Sequence, residues 1–72
     1  MNDTIVKIIK RHLTNPSLQI TKDMGITSDL GLNSFELIQI VSEIEDECEI
    51  EIPDRIILQF KSLGDLMEYI EQ

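Results

Sequence analysis

This sequence predicts an all-α fold: a small four-helix bundle with a long first loop and a short third helix. Three observations predict it. Apolar residues recur at helical spacing in three stretches, over residues 5–13, 37–48 and 63–70, with glycine, proline and asparagine gathered between them. The chain has 72 residues, enough for one core that buries only about 60% of the surface of the unfolded chain. Its aromatic content of 4% leaves Ile, Leu and Val to fill that core. Residues 1–72 therefore read as a single domain.

A first helix is expected over residues 3–13, with Ile5, Ile8, Ile9 and Leu13 on one face and Asn2 or Asp3 as its cap. Lys7, Lys10 and Arg11 lie on the other side as a solvated face, and Asn15-Pro16 ends the helix. Residues 14–33 have no clear period and read as a long loop. Ile20, Met24, Ile26, Leu30 and Leu32 are spaced to peg that loop onto the core, Gly25 and Gly31 mark turns, and a short helical turn inside it is compatible with the pattern.

The second helix is expected from Ser34 to Cys48, where Leu37, Ile40, Val41, Ile44 and Cys48 form one continuous face. Phe35 and Ile38 lie off its centre, beside Ser34. They are either a small apolar patch or, as is commoner for an isolated pair, residues at the core margin. Ile50-Glu51-Ile52 alternates like a strand but has no pairing partner, and reads as a connector with buried isoleucines. Pro53 then starts a short helix over residues 54–60, and Ser62-Leu63-Gly64-Asp65 opens the last helix as a capping box, with Leu63, Leu66, Met67 and Ile70 buried.

A formal charge of −8 disfavours nucleic acid and anionic membrane as partners and favours basic protein surfaces; it also favours a monomer. From Ser34 to Ile52 there are seven acidic residues and no Lys or Arg, so one end of the molecule should be strongly negative. The lone Cys48 excludes an internal disulfide and gives no metal-ligand set, which points to a reducing compartment. The N-terminus has neither the apolar core nor the cleavage site of a signal peptide, and no run is long enough to span a bilayer; a soluble, cytoplasmic protein is expected.

Catalysis by the chain itself is not expected. Its single histidine, His12, has no partner cluster and is far along the chain from Ser34. A calcium loop counted from Asp29 fails, with Ser34 where glycine is needed and Ile40 where a bidentate glutamate is needed. Ser34 stands at a helix start, where a serine is most often a capping residue. The same position would also suit an attached phosphate, because free helix amides and the helix dipole stabilise negative charge there.

The run Asp29-Leu30-Gly31-Leu32-Asn33-Ser34-Phe35-Glu36-Leu37 resembles the modification motif of the acyl carrier proteins. Glu45-Asp46-Glu47, Glu49-Ile50-Glu51-Ile52-Pro53-Asp54 and Ser62-Leu63-Gly64-Asp65 are similar to that family's later segments, in step and without a gap, so the resemblance covers nearly the whole chain. It implies a right-handed four-helix bundle of acyl-carrier type, not an enzyme, whose Ser34 receives phosphopantetheine from coenzyme A through a magnesium-dependent phosphopantetheinyl transferase. It further implies that the arm carries an acyl or aminoacyl thioester between enzymes of fatty-acid, polyketide or other biosynthesis. Glu36, Glu43, Glu45 and Asp46 would meet basic docking patches on acyl-loading and acyl-transfer enzymes, with Asn33 beside the serine and Phe35 and Ile38 as the apolar contact.

The chain departs from the family pattern at Asn33, usually aspartate, at Phe35, usually leucine, and at Arg55, usually acidic. These differences lean toward a dedicated carrier in a specialised pathway. Cys48 occupies the place of a large buried apolar residue, so a packed, inert thiol is expected. The chain begins with Met1 and ends at Gln72 just past the last expected helix, so a free-standing protein is expected. The alternative is an unmodified acidic interaction module that keeps the same fold.

Overall fold

The computed structural model describes residues 3–15 and 17–71. The Asn2 cap and the helix break at Pro16 lie outside the described residues. Among the described residues four helices occur in the order α1 (Asp3–Arg11), α2 (Ser34–Cys48), α3 (Asp54–Ile57) and α4 (Leu63–Glu71). Among the described residues there is no strand, only an isolated antiparallel bridge between Gly25 and Ser62.

The expected helical faces are the ones that pack. Ile5, Ile8 and Ile9 of α1 meet Leu37, Ile40, Val41 and Ile44 of α2, and Ile57, Leu63, Leu66 and Met67 join the same buried cluster. Among the described residues every buried side chain is aliphatic or methionine, and none is polar or charged. Each such side chain contributes roughly 1.5–3 kcal/mol on leaving water. The aromatic rings stay at the margin, where Phe60 and Tyr69 form an edge-to-face pair with centroids 5.9 Å apart. Cys48 is half-buried against the core.

Two helices are shorter than their apolar spacing suggests. α1 ends at Arg11, not residue 13, because its last turn tightens: the amides of His12 and Leu13 donate to the carbonyls of Ile9 and Lys10, three residues back. Leu13 is therefore half-buried, packed on the core from outside the helix. α3 ends at Ile57, not residue 60, and Gln59 and Phe60 continue it only as three-residue turns closed on Ile56 and Ile57. Pro53 is the N-cap of α3, one position before the helix.

The loop between α1 and α2 is ordered by its own hydrogen bonds and by α4. Ile20, Ile26 and Leu32 are buried pegs, whereas Met24 and Leu30 are half-buried. Residues 25–31 make one helical turn, in which Asp29 and Leu30 donate to the Gly25 carbonyl. The turn ends in an αL motif: Gly31, at φ 70°, donates to the Thr27 carbonyl four residues back, and Leu32 reaches further back to the Ile26 carbonyl. Gly31 is thus the residue that lets the chain turn into α2 without Cβ strain. The loop is also laced to the start of α4, through Ile26 N to Lys61 O at 2.9 Å, Leu63 N to Met24 O at 3.1 Å and Gly64 N to Lys22 O at 2.7 Å.

The capping box of α4 is present. Ser62 Oγ accepts from Asp65 N, and Asp65 Oδ2 accepts from the amides of both Ser62 and Lys61. The Lys61 and Ser62 amides hold the Asp65 carboxyl below its ordinary value of 3.8. A carboxylate held in this way contributes stability that is present above the unfolded value and lost as pH falls through the lower folded value. Urea melts of the parent should therefore lose stability as pH falls below about 4, and Asp65→Asn should flatten that loss.

His12 ties α1 to α2. Its Nε2 donates to Glu43 Oε2 on α2, and Arg11 Nη1 lies 4.0 Å from Glu43 Oε1, so the end of α1 is clasped to the middle of α2. Loss of this half-exposed bond in His12→Ala should lower the unfolding free energy by about 0.5–1.5 kcal/mol in urea titrations.

Candidate functional site: the N-terminus of α2

The start of α2 is fixed by a reciprocal cap. Asn33 has extended backbone angles, and its Oδ1 accepts from Glu36 N at 2.8 Å. Glu36 Oε1 in return accepts from Asn33 N at 3.1 Å. The Asn33 carbonyl begins the helical ladder by accepting from Leu37 N at 2.9 Å. The cap is therefore Asn33, not Ser34. The serine is displaced to the first helical position, where its hydroxyl is exposed and has no hydrogen-bond partner among the described residues.

This arrangement has a chemical consequence. A serine used as a cap has its oxygen occupied by a helix amide, but here the amide side chain of Asn33 takes that part. Ser34 Oγ is left available as a nucleophile or attachment point, and negative charge placed on it would sit in the favourable field of the helix N-terminus. A phosphodiester fits the position in charge and in access. Among the described residues no group of three or more His, Cys, Asp or Glu could hold a metal ion, and no helix is long and apolar enough to cross a membrane.

The remaining expected site residues divide sharply. Phe35 projects into solvent, 68% exposed, while Ile38 is half-buried and packed against the core. The patch reading holds for Phe35 and the core-margin reading for Ile38. Glu36 is bound in the cap and Glu43 in the clasp to α1. Glu45 closes the other end of α2: its Oε2 accepts from Ile52 N at 2.9 Å, and its carbonyl accepts from Ile50 N. Asp46 is the one expected acidic contact that is exposed and has no partner among the described residues.

Leu58, 56% exposed just past α3, was not anticipated. The signal was present, since three consecutive apolar residues, Ile56-Ile57-Leu58, cannot all face inward from a single helical turn. The far end of α2 carries an open acidic groove lined by Ser42, Glu45, Asp46, Glu49, Ile50 and Glu51. Glu49 there adopts a left-handed conformation, φ 56°, to close the helix.

The family model described as a phosphopantetheine attachment site matches residues 3–70. The chain belongs to the acyl carrier protein family. The acyl carrier protein of Clostridium perfringens strain 13 is 35% identical over 72 residues, which span all of this chain and 95% of the relative. The mitochondrial acyl carrier protein of Saccharomyces cerevisiae is 32% identical over 74 residues, 97% of this chain and 59% of the yeast protein. A solved structure of a Mycobacterium tuberculosis protein designated an acyl carrier protein superposes with a TM-score of 0.87 at 32% identity, covering 96% of this chain and 92% of the other. The carrier fold and the family's phosphopantetheine group thus agree with the expectations drawn from the motifs.

For this carrier, Asn33→Ala should cost about 1 kcal/mol in urea unfolding by removing the cap acceptor, whereas Asn33→Asp should retain most of the cap.

Proposed function

We propose that this protein is a carrier of thioester-linked acyl or aminoacyl groups, modified with phosphopantetheine at Ser34. The observation that carries the reading is the exposed Ser34 hydroxyl, freed from capping by Asn33 and set in the first turn of α2. In the loading step Ser34 Oγ bonds to the pantetheine-bearing phosphorus of coenzyme A. The phosphoanhydride bond to 3′,5′-ADP breaks, and the hydroxyl proton passes to a base of a magnesium-dependent phosphopantetheinyl transferase. This chain is the substrate of that step and supplies no catalytic group.

Phosphopantetheine, once attached, supplies the thiol that holds the acyl group as a thioester. The chain's own residues hold the arm's attachment point still and present it: the Asn33–Glu36 cap fixes the first turn, and the left-handed turn at Gly31 brings the loop into it. Partners are acyl-loading and acyl-transfer enzymes, met by a cytoplasmic monomer. The neutral Asn33, the larger Phe35 and the basic Arg55 favour a dedicated biosynthetic carrier over a general fatty-acid one.

Incubation with coenzyme A, magnesium and a broad-specificity phosphopantetheinyl transferase should add one phosphopantetheine to the parent by intact mass. Ser34→Ala should fold with nearly unchanged stability and gain nothing, because the Ser34 hydroxyl has no hydrogen-bond partner among the described residues. Equal modification of both proteins would move the attachment elsewhere. No modification of either would favour an unmodified acidic binding module.

A further inference from the structure

Asn33 uses only half of its side chain in the cap. Its Oδ1 accepts from Glu36 N at 2.8 Å, and its main-chain N–H donates to Glu36 Oε1 at 3.1 Å. Together these bonds fix the rotation of the carboxamide and leave Nδ2, with two hydrogens to donate, as its other end. Asn33 is exposed, and its Nδ2 has no partner among the described residues. The next two main-chain amides, Ser34 N and Phe35 N, have none either, because the cap serves only Glu36 N and Leu37 N. A side-chain amide is thus held ready to donate on the residue next to the Ser34 hydroxyl.

We infer that Asn33 is a positioning residue for the arm: its Nδ2 donates to a non-bridging oxygen of the phosphodiester attached at Ser34 Oγ, and so orients the root of the arm. The inference rests on the carrier reading. Reach supports it, since adjacent Cα atoms lie only about 3.8 Å apart. Charge supports it as well. The phosphodiester adds a negative charge to a turn that already carries the Glu36 carboxylate, which keeps its charge while it accepts from Asn33 N. The free first-turn amides offset part of that repulsion, as at any helix N-terminus. A capping asparagine adds a donor that a capping aspartate lacks; an aspartate at this position would instead set a second carboxylate against the phosphate. Using Nδ2 in this way costs little further entropy, because the cap has already taken the rotamer freedom of the side chain.

The test compares apo protein with protein loaded by a broad-specificity phosphopantetheinyl transferase, coenzyme A and magnesium, for the parent, Asn33→Gly and Asn33→Asp. In proton–nitrogen correlation spectra of the parent, loading should shift the Asn33 Nδ2 resonances and leave those of the exposed Gln39 side chain, on the next turn, nearly in place. In urea titrations, loading should raise the folding equilibrium constant of the parent about threefold, the scale of an exposed charge interaction. Asn33→Gly, neutral and without a side-chain donor, should lose most of that gain. Asn33→Asp keeps the cap but should reverse the gain, so that loading lowers the constant. Each protein is compared with its own apo form, so a merely structural role of residue 33 cancels. An equal gain in all three proteins, or Asn33 resonances that move no more than those of Gln39, would overturn the inference. No phosphopantetheine on Ser34 of the parent would instead overturn the carrier reading beneath it.

Discussion

The reciprocal bond between Asn33 and Glu36 is the interaction on which the site depends. It sets the first residue of α2, and with it the register that turns Leu37, Ile40, Val41 and Ile44 inward and Phe35 outward. A helix beginning one residue later, with Ser34 as its cap, would occupy the serine oxygen. The same two side chains therefore determine both the packing of the longest helix and the accessibility of its hydroxyl. The chain reaches that cap through the left-handed turn at Gly31, itself held by the loop laced to α4.

A chain this small has few polar groups to spend on closing its own ends, and acidic side chains do that work here. Glu36 caps α2, Glu43 receives His12 and Arg11 from α1, Glu45 holds Ile52 N, and Asp65 caps α4. What looks in the sequence like a uniformly acidic docking helix is a structural set of carboxylates followed by a free set at the distal end.

Much of this was legible in the sequence because periodicity and turn chemistry act locally. The four helices, the bounds of α2 and the α4 capping box follow from residues within a few positions of one another. The ends of α1 and α3 were overestimated because apolar spacing continues through the tighter turns that follow them. The bond from His12 to Glu43 is not legible locally, because the two lie 31 residues apart and only the packing of α1 on α2 brings them together. The engagement of Glu36, Glu43 and Glu45 was hidden because composition reports charge and not what each charge touches. Asn33 reads in the sequence as a lost charge whose amide can still cap the helix; that its capping leaves the Ser34 hydroxyl free emerges once the backbone angles are known.

The most direct measurement is fragmentation mass spectrometry of the intact protein isolated from cells that make it naturally. The account holds that the isolated chain carries phosphopantetheine, and that fragments assign it to Ser34. A chain isolated bare under every growth condition, or one with the group on Ser42 or Ser62, would contradict it.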